Sequence, residues 1–356
     1  MCPEVTDIKQ MLLCNTDESM ILAQDLIDLH GRILVTAGTA LRREILALLN
    51  KHQITSVWIK DDPIQIKQPV NREITTVNNL ISTATRRKMI QTMQNAFRHR
   101  GSVAAHLPYL REAIDEVIRE LAGHEQLLIY LTDIRKHSDY LYGHCVDVGV
   151  FAIVIGTAMG LSKEDIYILG IGGLLHDYGK TTISDAILEK CGPLTPDEFE
   201  LVKTHPSAGY NILRTETKVD SRIALMALQH HERPDGKGYP WGIKGEEIHL
   251  LARVVAVADV YDALTTDRVY RPAVAVFQAI RTISSCSGTQ FDPRVVEAFK
   301  RVTVPFYIGS GVQLNNGVSG AVLRINSSNP SRPVVWTREG TLNLIHEPDV
   351  DIVTVV

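Results

Sequence analysis

The segment from Ile166 to Lys180 constrains the fold of this chain most, because it ends an apolar helix with a polar pair. Apolar residues recur at helical spacing from Ile166 to Leu175, and the sequence His-Asp-Tyr-Gly-Lys follows at positions 176–180. A carboxylate at the end of a core-facing segment costs several kcal/mol unless a cation or a metal ion pairs with it. The rest of the chain must therefore supply a partner for Asp177.

Length and charge limit the class of protein. The 356 residues suffice for two or three compact units, and the formal net charge of −4 gives no reason to expect a nucleic acid or a membrane surface as partner. We find no leader segment and no apolar run of the ~18 residues that a membrane span needs, so we expect a cytoplasmic chain. The five cysteines are scattered without a CxxC pair, which argues against a disulfide frame or a thiolate zinc site.

Hydrophobic periodicity predicts a mainly α fold in four segments. The pattern in residues 1–62 predicts a small mixed α/β accessory module. Residues 63–124 are predicted to form a linker and helical connector whose basic groups lie on a solvated face. Residues 125–300 predict an all-helical domain, and residues 301–356 a small β-rich tail.

Individual elements follow from the same patterns. Helices are predicted at Val146–Met159, Ile166–Leu175, Ile223–Leu228, Leu250–Leu264 and Val274–Ile283, and a further helix at Leu41–Lys51. Strands are predicted at Ile21–Leu29, Ile33–Ala37, Ser56–Ile59, Val312–Leu314, Ala321–Ile325, Pro333–Trp336 and Leu342–Ile345.

The helical domain concentrates imidazole and carboxylate groups at helix ends and on apolar helix faces. They are His144, His176, Asp177, His205, His230, His231 and Asp259. Singly, each histidine could be a hydrogen-bonded core residue, and Asp259 could pair with Arg253. Together they supply nitrogen and oxygen ligands for two divalent ions, and the absence of cysteine favours manganese, iron or zinc. Two ions about 3.5–4 Å apart would clamp a phosphate and acidify a bridging water, with Asp177 as the natural bridge.

A second set of residues could bind the substrate. Lys180 could stabilise charge on a phosphoryl oxygen, although a lysine near a helix C-terminus is also common for structural reasons. The loop Asp235-Gly236-Lys237-Gly238-Tyr239-Pro240 follows the two histidines and offers an amine for a phosphate and an aromatic face for a base. Arg268 and Arg271 could bind a second phosphate or lie on the surface. Asp262, one turn after Asp259, could support a ligand.

These motifs and their order resemble the HD-GYP domain, a subgroup of the HD phosphohydrolase superfamily. The resemblance covers residues 125–300. Its motifs are His176-Asp177-x-Gly179-Lys180, Lys203-x-His205, His230-His231-Glu232-x-x-Asp235-Gly236-x-Gly238-Tyr239-Pro240, the run from Val257 to Leu264, and Phe291-Asp292-Pro293.

The resemblance implies a metal-dependent phosphodiesterase of bacterial second-messenger signalling. Such an enzyme hydrolyses cyclic di-GMP to pGpG and on to GMP by attack of a metal-bridging hydroxide, with iron or manganese as the metal. Lys180 would contact the scissile phosphate, and the Gly-Tyr-Pro loop would contact substrate and protein partners such as diguanylate cyclases. One metal would be held by His144, His176, Asp177 and Asp259, and the other by Asp177, His205, His230 and His231.

The sequence departs from the family pattern at several positions. Tyr140 stands where members with a third metal place a glutamate, so a two-metal site is expected. Tyr178 replaces the usual aliphatic residue, Ser184 and Cys191 replace prolines, and Val269 replaces the proline common between the two arginines. None of these changes removes an expected ligand.

Two other functions are compatible with the sequence. One is a related hydrolase acting on another nucleotide, and the other is a catalytically silent module that binds a nucleotide or a protein. The sequence leaves open whether the chain forms a homodimer.

Overall fold

The computed structural model divides the chain into two units, residues 1–78 with 308–311 and residues 79–307 with 312–356. The residues described are 8–12, 21–27, 33–39, 41, 45–46, 49, 54, 56–60, 80–98, 103–122, 140–188, 190, 192–216, 219–266, 273–306 and 308–355. Each unit is described separately below.

The N-terminal unit contains two small sheets. The strands are β1 (Ile8–Leu12), β2 (Ile21–Leu22), β3 (Leu26–Ile27), β4 (Ile33–Val35) and β5 (Ser56–Lys60). β5 lies between β1 and β2 and is antiparallel to both, while β3 pairs with β4. Leu22, Val57 and Ile59 are fully or almost fully buried in a small core of their own. In the segment predicted to be helical, residues 45, 46 and 49 are described and are helical.

One strand prediction in this unit is wrong. Residues 21–29 were predicted as a single strand, but β2 and β3 are separated by a bend at residues 23–25. In that bend, the carboxylate of Asp25 accepts a hydrogen bond from the backbone N–H of Ala37 at 2.5 Å. The chain changes sheets at this bend, because β2 pairs with β5 whereas β3 pairs with β4.

The second unit is an all-helical domain followed by a sheet. Its helices are α1 (Thr83–Arg98), α2 (Leu107–Ala122), α3 (Tyr140–Ala158), α4 (Lys163–Leu175), α5 (Asp185–Leu188), α6 (Pro196–Val202), α7 (His205–Thr215), α8 (Ser221–Gln229), α9 (Leu250–Thr265), α10 (Val276–Ser285) and α11 (Pro293–Val302). The predicted periodic segments coincide with α3, α4, α8, α9 and α10, so the mainly α fold class is confirmed. Short 3-10 helices span Val103–Ala105, Tyr178–Thr182, Gly245–Glu247 and Leu344–His346.

Side-chain caps fix where several helices begin. Ser162 accepts a hydrogen bond from the Asp165 N–H at the start of α4, and Asp220 does the same for Arg222 at the start of α8. Thr195 forms a capping box at the start of α6. Such caps satisfy N–H groups that a helix leaves without partners in its first turn, so they set the register of the helix.

The helices α1 and α2 belong to the core of the helical domain, although they lie in the segment predicted as a connector. Met89 and Met93 of α1 and Ile114 and Val117 of α2 are buried in the same cluster as α3 and α4. The prediction that all basic groups of this segment are solvated is wrong for Arg86, which forms an ion pair with the buried Asp147.

Helix α3 is long and apolar enough to cross a membrane by length and composition. The window Leu141–Ala158 has a mean hydropathy of 1.6, contrary to the expectation that no segment reaches this length. However, 78% of the window is buried inside the protein. Packing against α4 and α9 therefore accounts for its apolar character.

The C-terminal residues form the predicted β structure. The strands are β6 (Gly311–Leu314), β7 (Ser319–Arg324), β8 (Val334–Thr337), β9 (Gly340–Asn343) and β10 (Ile352–Val355), in the order β10-β6-β7-β8-β9. Val322, Val335 and Ile352 lie in its core. β10, which the sequence analysis missed, pairs with β6 in an antiparallel arrangement and completes one edge of the sheet.

Candidate metal centre

All the predicted metal ligands lie close together in the helical unit, at the ends or on the inner faces of its helices. His144 lies on α3, Asp259 on α9, His205 is the first residue of α7, and His176-Asp177 and His230-His231 directly follow α4 and α8. Most of these side chains are buried, and His231 is half-buried. Separate helices thus place nitrogen and oxygen atoms around one point, as the sequence predicted.

One group of ligand atoms comes from His144, His176 and Asp259. Their candidate ligand atoms all lie within 4.8 Å of one another. The distance from His144 Nε2 to Asp259 Oδ1 is 3.1 Å. These donors are separated by the distances expected of groups that share one ion, so they form a candidate site for the first metal.

A second group comes from His205, His230 and His231, whose candidate ligand atoms also lie within 4.8 Å of one another. The Nε2 atoms of His205 and His230 are 3.3 Å apart. An all-imidazole set with no cysteine suits manganese, iron or zinc rather than calcium.

Asp177 lies between the two groups. Its Oδ2 atom is 3.4 Å from His176 Nε2 and 3.8 Å from His144 Nε2. Its Oδ1 atom is 3.3 Å from His205 Nε2 and 3.9 Å from His230 Nε2. Each oxygen of one carboxylate therefore faces one group of histidines, which is the position of a bridging ligand.

Hydrogen bonds orient the imidazole rings. The Nδ1 atoms of His176 and His205 lie 2.7 Å from the backbone carbonyl oxygens of Gly173 and Val202, respectively. These carbonyls can only accept, so each Nδ1 carries the hydrogen and donates it, and each Nε2 presents a lone pair to the centre. In the same way, His230 Nδ1 donates to a carbonyl of the preceding turn.

His144 differs, because its Nδ1 contacts a carboxylate. The distance from His144 Nδ1 to Asp262 Oδ2 is 2.6 Å, and Asp262 is fully buried. The sequence predicts that Asp262 supports a ligand, and Asp262 lies within hydrogen-bond distance of the candidate ligand His144. Burial opposes a charge on His144, but hydrogen bonds with Asp259 and Asp262 outweigh it and raise the pKa of His144 to about 9.

The pKa values of His205, His230 and His231 are shifted the opposite way. Burial lowers the pKa of His205 to about 4 and that of His231 to about 3, and burial together with the neighbouring histidines lowers the pKa of His230 well below its usual range. These imidazoles are neutral at pH 7, which is the form that binds metals.

Two buried ligand atoms indicate that the centre fits a metal. His176 Nε2 and Asp177 Oδ1 have no hydrogen-bond partner among the described residues. Burial alone would raise the pKa of Asp177, but Lys180, His176 and His205 hold it well below its usual range, so the carboxylate stays charged. A buried charged oxygen and a buried nitrogen lone pair without hydrogen-bond partners are each unfavourable unless a cation lies close to them.

Lys180 is directed towards this centre. Its Nζ atom donates to Asp177 Oδ2 at 2.5 Å, and 23% of its side chain is exposed. Burial opposes its charge, but Asp177 raises its pKa, so the ammonium is retained. Lys180 therefore differs from an exposed lysine that only stabilises the C-terminal end of a helix.

Gly179 allows the backbone after the His-Asp pair to approach α7. A Cβ atom on Gly179 would lie 1.9 Å from the carbonyl oxygen of His205 and 2.5 Å from the N atom of Gly209. No side chain fits in this space. The glycine of the motif therefore brings Asp177 and His205 within range of each other.

The Gly-Tyr-Pro loop packs against the second group of histidines. The Tyr239 ring stacks on His231, with centroids 4.6 Å apart and an interplanar angle of 25°. The ammonium of Lys203 lies 5.8 Å from the Tyr239 centroid. Next to the loop is a cavity of about 220 Å³, lined by His231, Lys237, Tyr239 and Gln290 among others. A substrate bound there would contact both an aromatic face and a cation.

Asp235 and Glu232 shape this loop. The Asp235 carboxylate accepts hydrogen bonds from the Arg233 side chain and the Lys237 N–H, so it is directed into the loop rather than at the metal ligands. Glu232, which the sequence analysis quoted but assigned no role, accepts hydrogen bonds from the N–H groups of Trp241 and Gly242 at 2.7 and 3.1 Å. The only sequence signal for this role was the position of an acidic residue directly after two candidate ligands.

Three other expectations have different outcomes. Arg268 and Arg271 lie outside the described residues, so the structure does not place them. The suggested pairing of Asp259 with Arg253 is wrong. Arg253 instead pairs with Glu246 at 2.8 Å and Asp292 at 2.5 Å, because it lies on a different face of α9.

Buried helices and a histidine-aspartate centre define this unit as an all-helical, metal-binding domain. Comparison with known families matches residues 117–295 to the HD domain, and the chain belongs to that family. The resemblance inferred from the motifs is thereby confirmed at the level of the family.

The curated relatives that match are named as phosphodiesterases. A cyclic di-GMP phosphodiesterase of Pseudomonas aeruginosa is 38% identical over 212 residues, which are 60% of this chain and 51% of the relative. A cyclic di-GMP phosphodiesterase of Thermotoga maritima is 36% identical over 243 residues, which are 67% of this chain and 64% of the relative. The chain thus spans between half and two thirds of the length of these relatives.

A solved structure supports the fold. An HDG"Y"P protein from Bdellovibrio bacteriovorus is 16% identical, and the match covers 82% of this chain and 98% of that protein with a TM-score of 0.51. At this identity the similarity bears on the fold alone.

Proposed function

We propose that this protein is a metal-dependent phosphodiesterase that hydrolyses cyclic di-GMP to pGpG and then to GMP in the bacterial cytoplasm. One observation carries the proposal: the two oxygens of Asp177 face two separate groups of histidines, with Lys180 beside them. The names of the Pseudomonas aeruginosa and Thermotoga maritima relatives support the choice of cyclic di-GMP as substrate.

The ligand assignment follows from the distances above. His144, His176 and Asp259 would hold one ion, His205, His230 and His231 the other, and Asp177 would bridge them. Iron or manganese fits this set of donors. When bound, such a pair of ions binds the scissile phosphate and lowers the pKa of a water molecule.

The chain's own residues bind and orient the substrate. Lys180 holds its ammonium next to Asp177, where it would neutralise charge on the scissile phosphate as that charge develops. Tyr239 would offer a face for a guanine base, and its stacking on His231 holds the ring beside the second group of histidines. Lys237 is exposed on the same loop and could contact a phosphate.

The test uses protein purified without oxygen. Metal content per chain and release of pGpG and GMP are measured with iron or manganese added, for wild type, Asp177→Ala and the control Asp197→Ala. Asp197 is an exposed acid on α6 and is not one of the candidate ligands. We expect about two metals and turnover in wild type and control, and loss of both in Asp177→Ala.

Other outcomes contradict the proposal in different ways. Two metals with turnover only of another cyclic dinucleotide would refute the substrate assignment. Bound metal without turnover of any phosphodiester, or no metal at all, would favour a silent binding module. Wild-type metal content and rate in Asp177→Ala would show that the ligand assignment is wrong.

A further inference from the structure

Helix α1 contacts the segments that carry two of the candidate ligands, although it lies outside the matched HD segment of residues 117–295. Its first turn reaches α3. The guanidinium of Arg86 donates two hydrogen bonds to the carboxylate of Asp147, both at 2.5 Å. The Asp147 side chain is 5% exposed, and it lies three residues after His144, on the neighbouring turn of the same helix.

The last turn of α1 reaches the His-Asp motif. The Phe97 ring meets Tyr178 edge to face, with centroids 5.0 Å apart, and the Tyr178 hydroxyl donates to the Ala96 carbonyl at 3.4 Å. Tyr178 directly follows Asp177 and is 2% exposed. Phe97 also meets Tyr142, two residues before His144, at 5.7 Å.

We propose that α1 is a positioning element of the metal centre and that Arg86 and Phe97 are its positioning residues. The inference rests on the proposed metal site. Arg86 fixes the turn of α3 that carries His144, and Phe97 supports the backbone that carries Asp177. Tyr178, which directly follows Asp177, is the partner in the second contact.

Removal of either contact takes away a support of a segment that carries a candidate ligand. Without Arg86, the buried carboxylate of Asp147 loses two charge-assisted hydrogen bonds. The turn of α3 that carries both Asp147 and His144 then loses this attachment to α1. Without the Phe97 ring, a void opens behind Tyr178, and the backbone of Asp177 loses its support.

The same helix supplies a matched control. Lys88 lies two residues from Arg86, but 46% of its side chain is exposed. It pairs with Glu112 and Glu116, which both lie on α2. Lys88→Met therefore removes ion pairs between α1 and α2 and leaves the ligand-bearing segments unchanged.

The test measures Mn²⁺ binding rather than activity. Dissociation constants for each Mn²⁺ ion are determined by electron paramagnetic resonance of the free ion in wild type, Arg86→Met, Arg86→Lys, Phe97→Leu and Lys88→Met. Urea unfolding is recorded for the same proteins. Outer partners of ligands typically change metal affinity by about 10- to 100-fold, so we expect shifts of at least about tenfold in Arg86→Met and Phe97→Leu.

The pattern over the two ions distinguishes positioning from general destabilisation. Arg86→Met should weaken the ion of the His144 group and leave the ion of the His205 group unchanged. Phe97→Leu acts behind the shared Asp177 and should weaken both. Arg86→Lys should recover part of the affinity, because lysine keeps the charge but not the paired hydrogen bonds. Lys88→Met should bind as wild type.

The inference is overturned if both ions bind to Arg86→Met and Phe97→Leu as tightly as to wild type. Equal weakening of both ions in Arg86→Met, in proportion to lost urea stability, would also overturn it. Binding of Mn²⁺ by wild type with unchanged variants would refute the positioning role alone. No Mn²⁺ binding by wild type would refute both the metal centre and this inference.

Discussion

Binding of the two metal ions should depend on pH in different ways, because the histidines of the two groups hold their protons differently. The pKa of His144 is raised to about 9 by Asp259 and Asp262, whereas the pKa values of His205 and His231 are lowered to about 4 and about 3. A metal ion must displace the proton of His144, but it meets neutral imidazoles in the second group.

The magnitude follows from the raised pKa. At pH 7, about two units below the pKa of His144, about one chain in a hundred has this imidazole neutral, so affinity for the first ion is lowered about 100-fold relative to its alkaline limit. Because the group is protonated below its pKa, affinity should rise about tenfold per pH unit from pH 6 to pH 8 and level off above pH 9. The affinity of the second ion should change little over this range.

Isothermal titration with Mn²⁺ at pH 6, 7 and 8 measures this directly. Repeating each titration in two buffers of different ionisation enthalpy counts the protons released, and we expect about one for the first ion and none for the second. Asp262→Asn removes one carboxylate that raises the pKa of His144, so it should reduce proton release at pH 8. Asp115→Asn, at an exposed position on α2, should leave the release unchanged.

Two results would refute the reasoning. A first-ion affinity that is independent of pH in wild type would show that His144 holds no proton to displace. Proton release that is the same in Asp262→Asn as in wild type would show that Asp262 does not set the protonation of His144.

Lys180→Met should lower kcat about 100-fold while both metals remain bound, because the ammonium acts on the phosphate and the candidate metal ligands are unchanged. An unchanged kcat at full metal content would contradict this role of Lys180. Gly179→Ala should lower the free energy of unfolding by about 1–3 kcal/mol in urea titrations, since its Cβ would collide with the backbone of His205. Gly143→Ala is the matched control, because a Cβ there meets nothing within 4 Å and alanine favours a helix; equal effects in both variants would refute the argument.

The helices of the domain could be predicted from local patterns, because the repeated spacing of apolar residues is enough to define each of these helices. The run Leu250–Leu264 is apolar enough that α9 forms over almost the same residues, Leu250–Thr265. The strand predicted at residues 21–29 is divided because β2 pairs with β5 whereas β3 pairs with β4 in another sheet. Periodicity carries no information about which strands pair.

Contacts between residues distant in sequence were the main feature that could not be predicted from the sequence. Arg86 belongs to a basic cluster that reads as solvated, yet its partner is a buried aspartate on another helix, 61 residues further along the chain. The suggested pair of Arg253 and Asp259 could have been rejected from the sequence, because residues six apart on a helix do not share a face. The candidate ligands could be proposed from the sequence because several histidines and aspartates in one domain are informative as a group, even where each alone is not.

The geometry of the centre depends on how closely α3 and α4 approach. A Cβ atom on Gly173 would lie 2.6 Å from Gly149 Cα, so the two backbones are nearly in contact at this point. The carbonyl of the same Gly173 accepts the hydrogen bond that orients His176. One residue thus sets both the distance between the helices of His144 and His176 and the direction of one imidazole, and their rings lie 5.3 Å apart. Since a larger residue here would separate the helices and move both imidazoles, the metal centre depends on helix packing as much as on its ligands.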